Sequence, residues 1–323
     1  MLLQFNAYLI VKGEHRMNAL KKCACVLGAA ALLFTAGCGG EKKAPAQGET
    51  KIPVTVSFNA MKELTETIGG DKVAVKVMVP EGTEPHEFDP KAEDLVHMKE
   101  SKVFVYNGLG MEKWAEKAVK AAGSDKLVVV EAAAKVKPIE ITDEEEREEH
   151  GDHDPHAWLG LTTAVQEAEM IRDGLIQASP ENKDYFNKNF ETFAKEMKAL
   201  QEKYKAAFDK AERKEFVTGH AAFGYLCRDM GLSQESVEDV FSSGEPSAKK
   251  MKELIDFCKE HKVKTIFTED MVSPALSETL AREAGASTEV IDTMEGESEK
   301  TGHDFPQTYG RKPEKNRSKF EII

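Results

Sequence analysis

Three of the nine histidines in this chain lie in predicted loops rather than on helix faces. His86 lies in VPEGTEPHEFDP, His156 in DHDPHAWLG and His220 in FVTGHAAFGYL. Asp292 ends the last predicted strand, in STEVIDTMEG. Three neutral imidazoles and one carboxylate form a borderline-soft tetrahedral set, which favours zinc, whereas calcium and magnesium prefer mostly oxygen ligands. These four residues are therefore the predicted metal ligands.

Each of these residues also has a purely structural interpretation. A histidine at the end of a strand is often only a hydrogen-bonded loop residue. Asp292 could cap the helix that follows its strand. Spacing alone does not separate these alternatives from metal binding.

The elements that would position these residues are short β-branched runs alternating with helical patterns. The runs are IPVTVSF (52–58), KVAVKVMVP (72–80), KVFVYNG (102–108), KLVVVEA (126–132), EFVTG (215–219), ESVEDVF (235–241), VKTIFTE (263–269) and STEVID (287–292). This alternation predicts an α/β fold of two Rossmann-like lobes with parallel sheets. Loops at the carboxyl ends of such strands face the ligand crevice, so two ligands from each lobe place the metal between the lobes.

A long helix is predicted between the two lobes. After Pro180 the apolar positions recur in steps of four and three residues, and neither Gly nor Pro occurs in 181–213. A helix over about 181–208 would be about 40 Å long at 1.5 Å per residue. The spacing thus predicts one rigid connecting helix rather than a flexible hinge.

Composition narrows the class of protein. The 323 residues carry a net charge of −13, which argues against a partner that is a nucleic acid. No apolar run reaches the ~20 residues of a spanning helix. Of the five cysteines, only Cys227 and Cys258 fall in the predicted folded body. They are too few for a disulfide framework, and buried thiols or a single bridge are both open.

The N-terminus has the pattern of an export signal. Two lysines precede an apolar stretch that ends at Ala36, Gly37 and Cys38. We interpret residues 1–37 as a signal peptide whose true start is Met17, and Cys38 as a lipidated mature N-terminus. Thr35 stands where a lipobox usually has Leu, so an ordinary signal peptide is the alternative. Residues 38–50 then form a polar tether, and the body is extracytoplasmic and membrane-anchored, at the cell surface or in the periplasm.

Four motifs in order resemble one known family. They are GTEPHEFDP, DPHAWL, TGHAAFGYL and GEPSAKKMKELIDFCKEHKVKTIFTE, and the resemblance covers about 50–294. They are similar to the cluster A-I substrate-binding proteins, lipoproteins that feed ABC transporters for zinc or manganese. The resemblance implies that His86, His156, His220 and Asp292 bind a transported ion. It also implies two lobes joined by a long helix, an ABC permease as partner, a monomer and no enzymatic activity.

Two features favour zinc as the transported ion. Manganese-type members of this family carry Glu where this chain has His220, and nitrogen suits zinc better than manganese. The acidic segment 143–154 holds His150 and His153, as similar loops do in zinc-specific members. This segment would collect zinc weakly, or it would be only a solvated acidic face.

Other functions remain open at this point. Within the family, the chain could carry manganese or iron. From a different class, it could be a zinc hydrolase, although no HExxH motif occurs. Surface adhesion is a third alternative, which nothing in the sequence supports or excludes.

The resemblance also sets the predicted domain limits. The first lobe spans 51–178, the connecting helix 179–213 and the second lobe 214–294. The tail 295–323 is polar and lacks the closing helix of the family, so we suspect a frameshift near residue 300.

Overall fold

The computed structural model describes residues 51–241, 246–269 and 273–296. The predicted signal peptide, Cys38, the tether and all of the tail beyond Gly296 lie outside the described residues. Among the described helices, none combines the length and the apolar character that crossing a bilayer requires.

Eight strands form the two main sheets, and two short strands form a small ribbon. In chain order they are β1 (Ile52–Val56), β2 (Val73–Val77), β3 (Val103–Tyr106), β4 (Val128–Glu131), β5 (Ile139–Glu140), β6 (His153–Asp154), β7 (Glu215–Thr218), β8 (Ser233–Ser236), β9 (Thr265–Glu269) and β10 (Ser287–Ile291).

Each lobe is built on a parallel sheet of four strands. The first sheet has the order β2-β1-β3-β4 and the second the order β8-β7-β9-β10, so both lobes repeat one strand order. In each sheet the second strand lies on one side of the first strand, β1 or β7, and the third strand lies on its other side, so the strand order switches there. Loops at the carboxyl ends of strands open a crevice at such a point. The predicted α/β fold with two parallel sheets is confirmed.

Helices cover the sheets and join the lobes. They are α1 (Asn59–Gly69), α2 (Ala92–Glu100), α3 (Ala115–Ala122), α4 (Glu144–His150), α5 (Leu161–Ala178), α6 (Lys183–Phe208), α7 (Gly224–Met230), α8 (Ala248–Glu260) and α9 (Ala275–Ala284). The connecting helix is α6, and its 26 residues span about 39 Å. Its buried face carries Phe186, Phe193, Met197, Tyr204 and Phe208. Because this face belongs to the core that both lobes share, α6 holds the lobes at a fixed spacing.

Three local predictions need correction or resolution. The strand predicted over 235–241 is displaced, because β8 ends at Ser236 and the chain then leaves the sheet. The acidic segment is not simply a loop, since α4 begins at its Asp143 cap and β5 and β6 pair antiparallel on either side. Cys227 and Cys258 are buried free thiols, so they form no bridge. The exact domain limits stay a prediction.

Candidate metal centre

The histidines reach one point from three separate chain segments. His86 lies in a short 3₁₀ turn, Pro85–Glu87, in the connection after β2. His156 lies two residues after β6, and His220 lies two residues after β7. The fourth side chain at this point belongs to Glu295, four residues after β10. Each lobe therefore contributes two side chains, as the strand-end argument predicts.

The four side chains lie close enough together to hold one metal ion. One ligand atom from each of His86, His156, His220 and Glu295 lies within 4.8 Å of all the others. Glu295 Oε1 is 3.3 Å from His86 Nε2 and 3.4 Å from His156 Nε2. The Nε2 atoms of His156 and His220 are 3.4 Å apart. A tetrahedron with metal–ligand bonds of about 2.05 Å has edges of about 3.3 Å, so these distances suit zinc.

The centre is shielded from solvent and incompletely hydrogen-bonded. The side chains of His86, His156, His220 and Glu295 are at most 4% exposed. Within the described residues, Nδ1 of His86 finds no hydrogen-bond partner, and His86 Nε2 and Glu295 Oε1 contact each other at 3.3 Å without hydrogen-bond geometry. Leaving such buried atoms unpaired costs about 1–3 kcal/mol each. A cation bound among them would recover that energy.

Carboxylates behind the rings orient two of the imidazoles. Asp154 Oδ1 lies 2.8 Å from His156 Nδ1 and also accepts from the His156 backbone N–H at 2.9 Å. Glu269 Oε1 accepts from the His220 backbone N–H at 3.3 Å and lies 3.7 Å from its Nδ1. Gly219 leaves room for this carboxylate, because a Cβ there would collide with Glu269 Oε2. For His156 the hydrogen bond at Nδ1 leaves Nε2 as the metal-facing nitrogen and increases its basicity, whereas Glu269 holds the backbone of His220.

Burial and charge shift the titration of the four groups. Burial opposes the charge on His156, but Asp154 and Glu295 outweigh it and raise its pKa to about 9. Burial likewise opposes charge on His220, and Glu269 and Glu295 still raise its pKa. Burial lowers the pKa of His86. Although Glu295 is also buried, its histidine neighbours hold its pKa well below the usual range. The centre therefore carries an anionic oxygen that attracts a cation.

A tight turn after β10 brings Glu295 into the centre. The Met294 backbone N–H donates to Asp292 Oδ1 at 2.7 Å, and Met294 has φ 58°. Trp158 Nε1 donates to the Thr293 carbonyl at 2.8 Å, and Thr293 Oγ1 donates to Glu295 Oε2 at 2.7 Å. Glu295 thus points Oε1 at the histidines. Asp292 is outside the group that the structure brings together, and it stabilises the turn instead.

The sequence carried one signal that could have found Glu295. Asp292 is the predicted ligand because it ends the last predicted strand and because the family resemblance matches it to the fourth position. The segment TMEG offers a second carboxylate before a glycine, within the reach of a short turn. The accessory residues lie outside this group: His153 Nδ1 is 3.3 Å from Glu140 Oε2 on the partly exposed β5–β6 ribbon, and the His150 side chain lies outside the described residues.

Comparisons with known proteins converge on one family. Residues 54–316 match the family described as "ZnuA: Zinc-uptake complex component A periplasmic". A metal-binding protein of Treponema pallidum is 38% identical over 289 residues, which are 87% of this chain and 92% of that protein. The high-affinity zinc uptake system protein ZnuA of Bacillus subtilis is 36% identical over 278 residues, 83% of this chain and 87% of that protein.

A solved structure agrees with these relatives. The laminin binding protein Lmb of Streptococcus agalactiae is described as bifunctional, with adhesin and metal transporting activity. It superposes with a TM-score of 0.72 at 30% identity and covers 81% of this chain and 96% of its own.

Proposed function

Since the chain belongs to the ZnuA family of zinc-uptake proteins, we propose that it captures Zn²⁺ outside the cytoplasm and delivers it to an ABC permease for uptake. The observation that carries this function is the buried group of three imidazoles and one carboxylate, whose ligand atoms all lie within 4.8 Å of one another. Zinc is the cargo of this site.

We assign the ligands as Nε2 of His156 and His220, one ring nitrogen of His86 and Oε1 of Glu295. Glu295 replaces Asp292 as the proposed fourth ligand. Four protein atoms complete the tetrahedron, whereas a catalytic zinc site keeps one position for water or substrate. This closed set supports a carrier without enzymatic activity and argues against a zinc hydrolase.

The same proposal extends to location and partners. Lipidation at Cys38 would hold the body at the membrane beside its cognate permease, and the chain would act as a monomer. These points rest on the sequence pattern of residues 17–50 and on the family.

Competition between metals tests the proposed cargo. We expect residues 39–323, dialysed against equal zinc and manganese, to retain one zinc per chain and at least about tenfold less manganese. The reason is that manganese has the lowest affinity for nitrogen ligands among the divalent first-row metals. Mass spectrometry of the retained metal measures the ratio. Equal retention of both metals would contradict the assignment.

The acidic segment gives a second prediction. As a collector, residues 143–154 would add weak zinc binding through His150, His153 and neighbouring carboxylates. Calorimetric titration of zinc should then show a tight and a weak phase in the intact protein and only the tight phase after deletion of 143–152. A single phase of equal affinity in both proteins would contradict weak zinc binding and would mean that the segment is only a solvated acidic face.

A further inference from the structure

A short segment of the second lobe lies over the metal centre. We call residues 237–241, which follow β8, the strap. Its Phe241 ring lies edge-on to the His86 ring of the first lobe, with centroids 5.2 Å apart at 74°. Lys113 Nζ, also from the first lobe, lies 5.9 Å from the centroid of Phe241. Phe241 therefore bridges the crevice, and only 5% of it is exposed.

The strap is tied to its own lobe beside a proposed ligand. The Glu238 backbone N–H donates to the Gly219 carbonyl at 2.8 Å, and the Ala221 backbone N–H donates to the Asp239 carbonyl at 3.0 Å. These bonds flank His220 on both sides along the chain. Movement of the strap would therefore disturb His220 as well as uncover His86.

A side chain of the acidic segment fastens the strap from the first lobe. Glu146 Oε1 on α4 accepts from the Val240 backbone N–H at 2.6 Å. Two hydrogen bonds stabilise α4: Asp143 caps it at the Glu146 backbone N–H, and Arg147 within the helix donates to Asp152 just beyond its C-terminus. The segment is also anchored by the β5–β6 pairing, two residues before His156.

We propose that Glu146 is a positioning residue that latches the strap over the zinc site and slows the release of the ion. The proposal rests on the function proposed above and refines it. Zinc cannot leave a site shielded by Phe241 until Phe241 moves, and that movement breaks the bond between Glu146 and Val240. Helix α4 therefore links the acidic segment to the lifetime of the bound ion, in addition to any weak zinc binding there.

The test measures zinc release by stopped flow, mixing the zinc-loaded protein with excess chromogenic chelator. A hydrogen bond to a charged group stabilises more than a neutral one, and the partial exposure of Glu146 reduces that effect. We therefore expect Glu146→Ala to release zinc about 3- to 10-fold faster. Glu146→Gln keeps the acceptor oxygen and should restore most of the slow release. Glu191→Ala, an exposed glutamate on α6 outside the acidic segment, is the control and should match the wild type.

A second variant separates the latch from a general loss of structure. Phe241→Leu should also speed release, and combining it with Glu146→Ala should add little, because both act through the strap. Thermal unfolding of the metal-free variants should stay close to that of the wild type. Unchanged release in Glu146→Ala, or no rescue by Gln, would overturn the latch. A wild-type protein that binds no zinc would instead overturn the proposed function.

Discussion

Replacing Glu295 by Gln is expected to weaken zinc binding by about 100-fold while leaving the fold intact. Gln has the same shape and can still accept from Thr293 Oγ1, which now bonds Oε2 of Glu295. It removes the anionic oxygen that faces His86 and His156 at 3.3 and 3.4 Å. Three neutral imidazoles would then hold a divalent cation with no anionic atom in direct contact with it, in a buried site where charge is costly. Chelator competition with a fluorescent zinc indicator measures the loss.

Asp292→Asn is the matched control for Glu295→Gln. It changes the carboxylate that the strand-end argument selects, but it keeps an acceptor for the Met294 backbone N–H. We expect its zinc affinity to stay within about threefold of the wild type, because Asp292 supports the turn and lies outside the group of four proposed ligands. A larger loss of zinc affinity in Asp292→Asn than in Glu295→Gln would mean that Asp292, and not Glu295, is the fourth ligand.

The sequence predicts the strand that precedes Asp292 and Glu295, but it does not predict which of the two carboxylates reaches the histidines. Periodicity predicts seven of the eight main strands and α6, because each element buries an apolar face whose spacing is visible in the sequence. The end of a strand is visible too, so the segments carrying the histidines could be found. The turn that follows β10 depends on Met294 at φ 58° and on Trp158 from the other lobe. No local pattern encodes such a tertiary contact.

The strap illustrates the same limit at β8. The run ESVEDVF looks like one strand because Val237 and Phe241 are apolar. The structure buries both, but Phe241 packs on His86 across the crevice instead of extending the sheet. Likewise, the acidic run of α4 resembles a solvated face, and its bond to Val240 appears only when the lobes are assembled. Contacts between the lobes join residues that are far apart in the chain, so a local sequence pattern cannot predict them.

Zinc affinity is expected to rise steeply with pH well above the imidazole value of about 6.5. In the metal-free protein His156 has a pKa of about 9, and the pKa of His220 is raised as well. Protons on these rings must leave before zinc binds, and each one released changes the affinity by about tenfold per pH unit. Burial lowers the pKa of His86, so this ring is already neutral at neutral pH. Between pH 6 and pH 8 the affinity should therefore rise by at least about 100-fold.

The stability of the protein should show the opposite dependence when zinc is absent. A histidine whose pKa is raised on folding stabilises the folded state fully below its unfolded value of about 6.5. That contribution is lost as pH rises toward about 9, the pKa of folded His156. Metal-free protein should thus lose stability over this window, while zinc-loaded protein gains from tighter binding. The increase in melting temperature on adding zinc should accordingly grow from pH 6.5 to pH 8.5.

Asp154→Asn tests the origin of this pH dependence. Asn removes the charge beside His156 Nδ1, so the pKa of His156 should fall and the upper end of the affinity profile should move to lower pH. Zinc binding at high pH should also weaken, by about 10- to 100-fold, because the ring loses its orienting carboxylate. Zinc titrations in buffers of different ionisation enthalpy count the protons released and should give fewer in this variant near pH 8. A flat affinity profile in the wild type between pH 6 and pH 8 would mean that imidazoles do not dominate the ligand set.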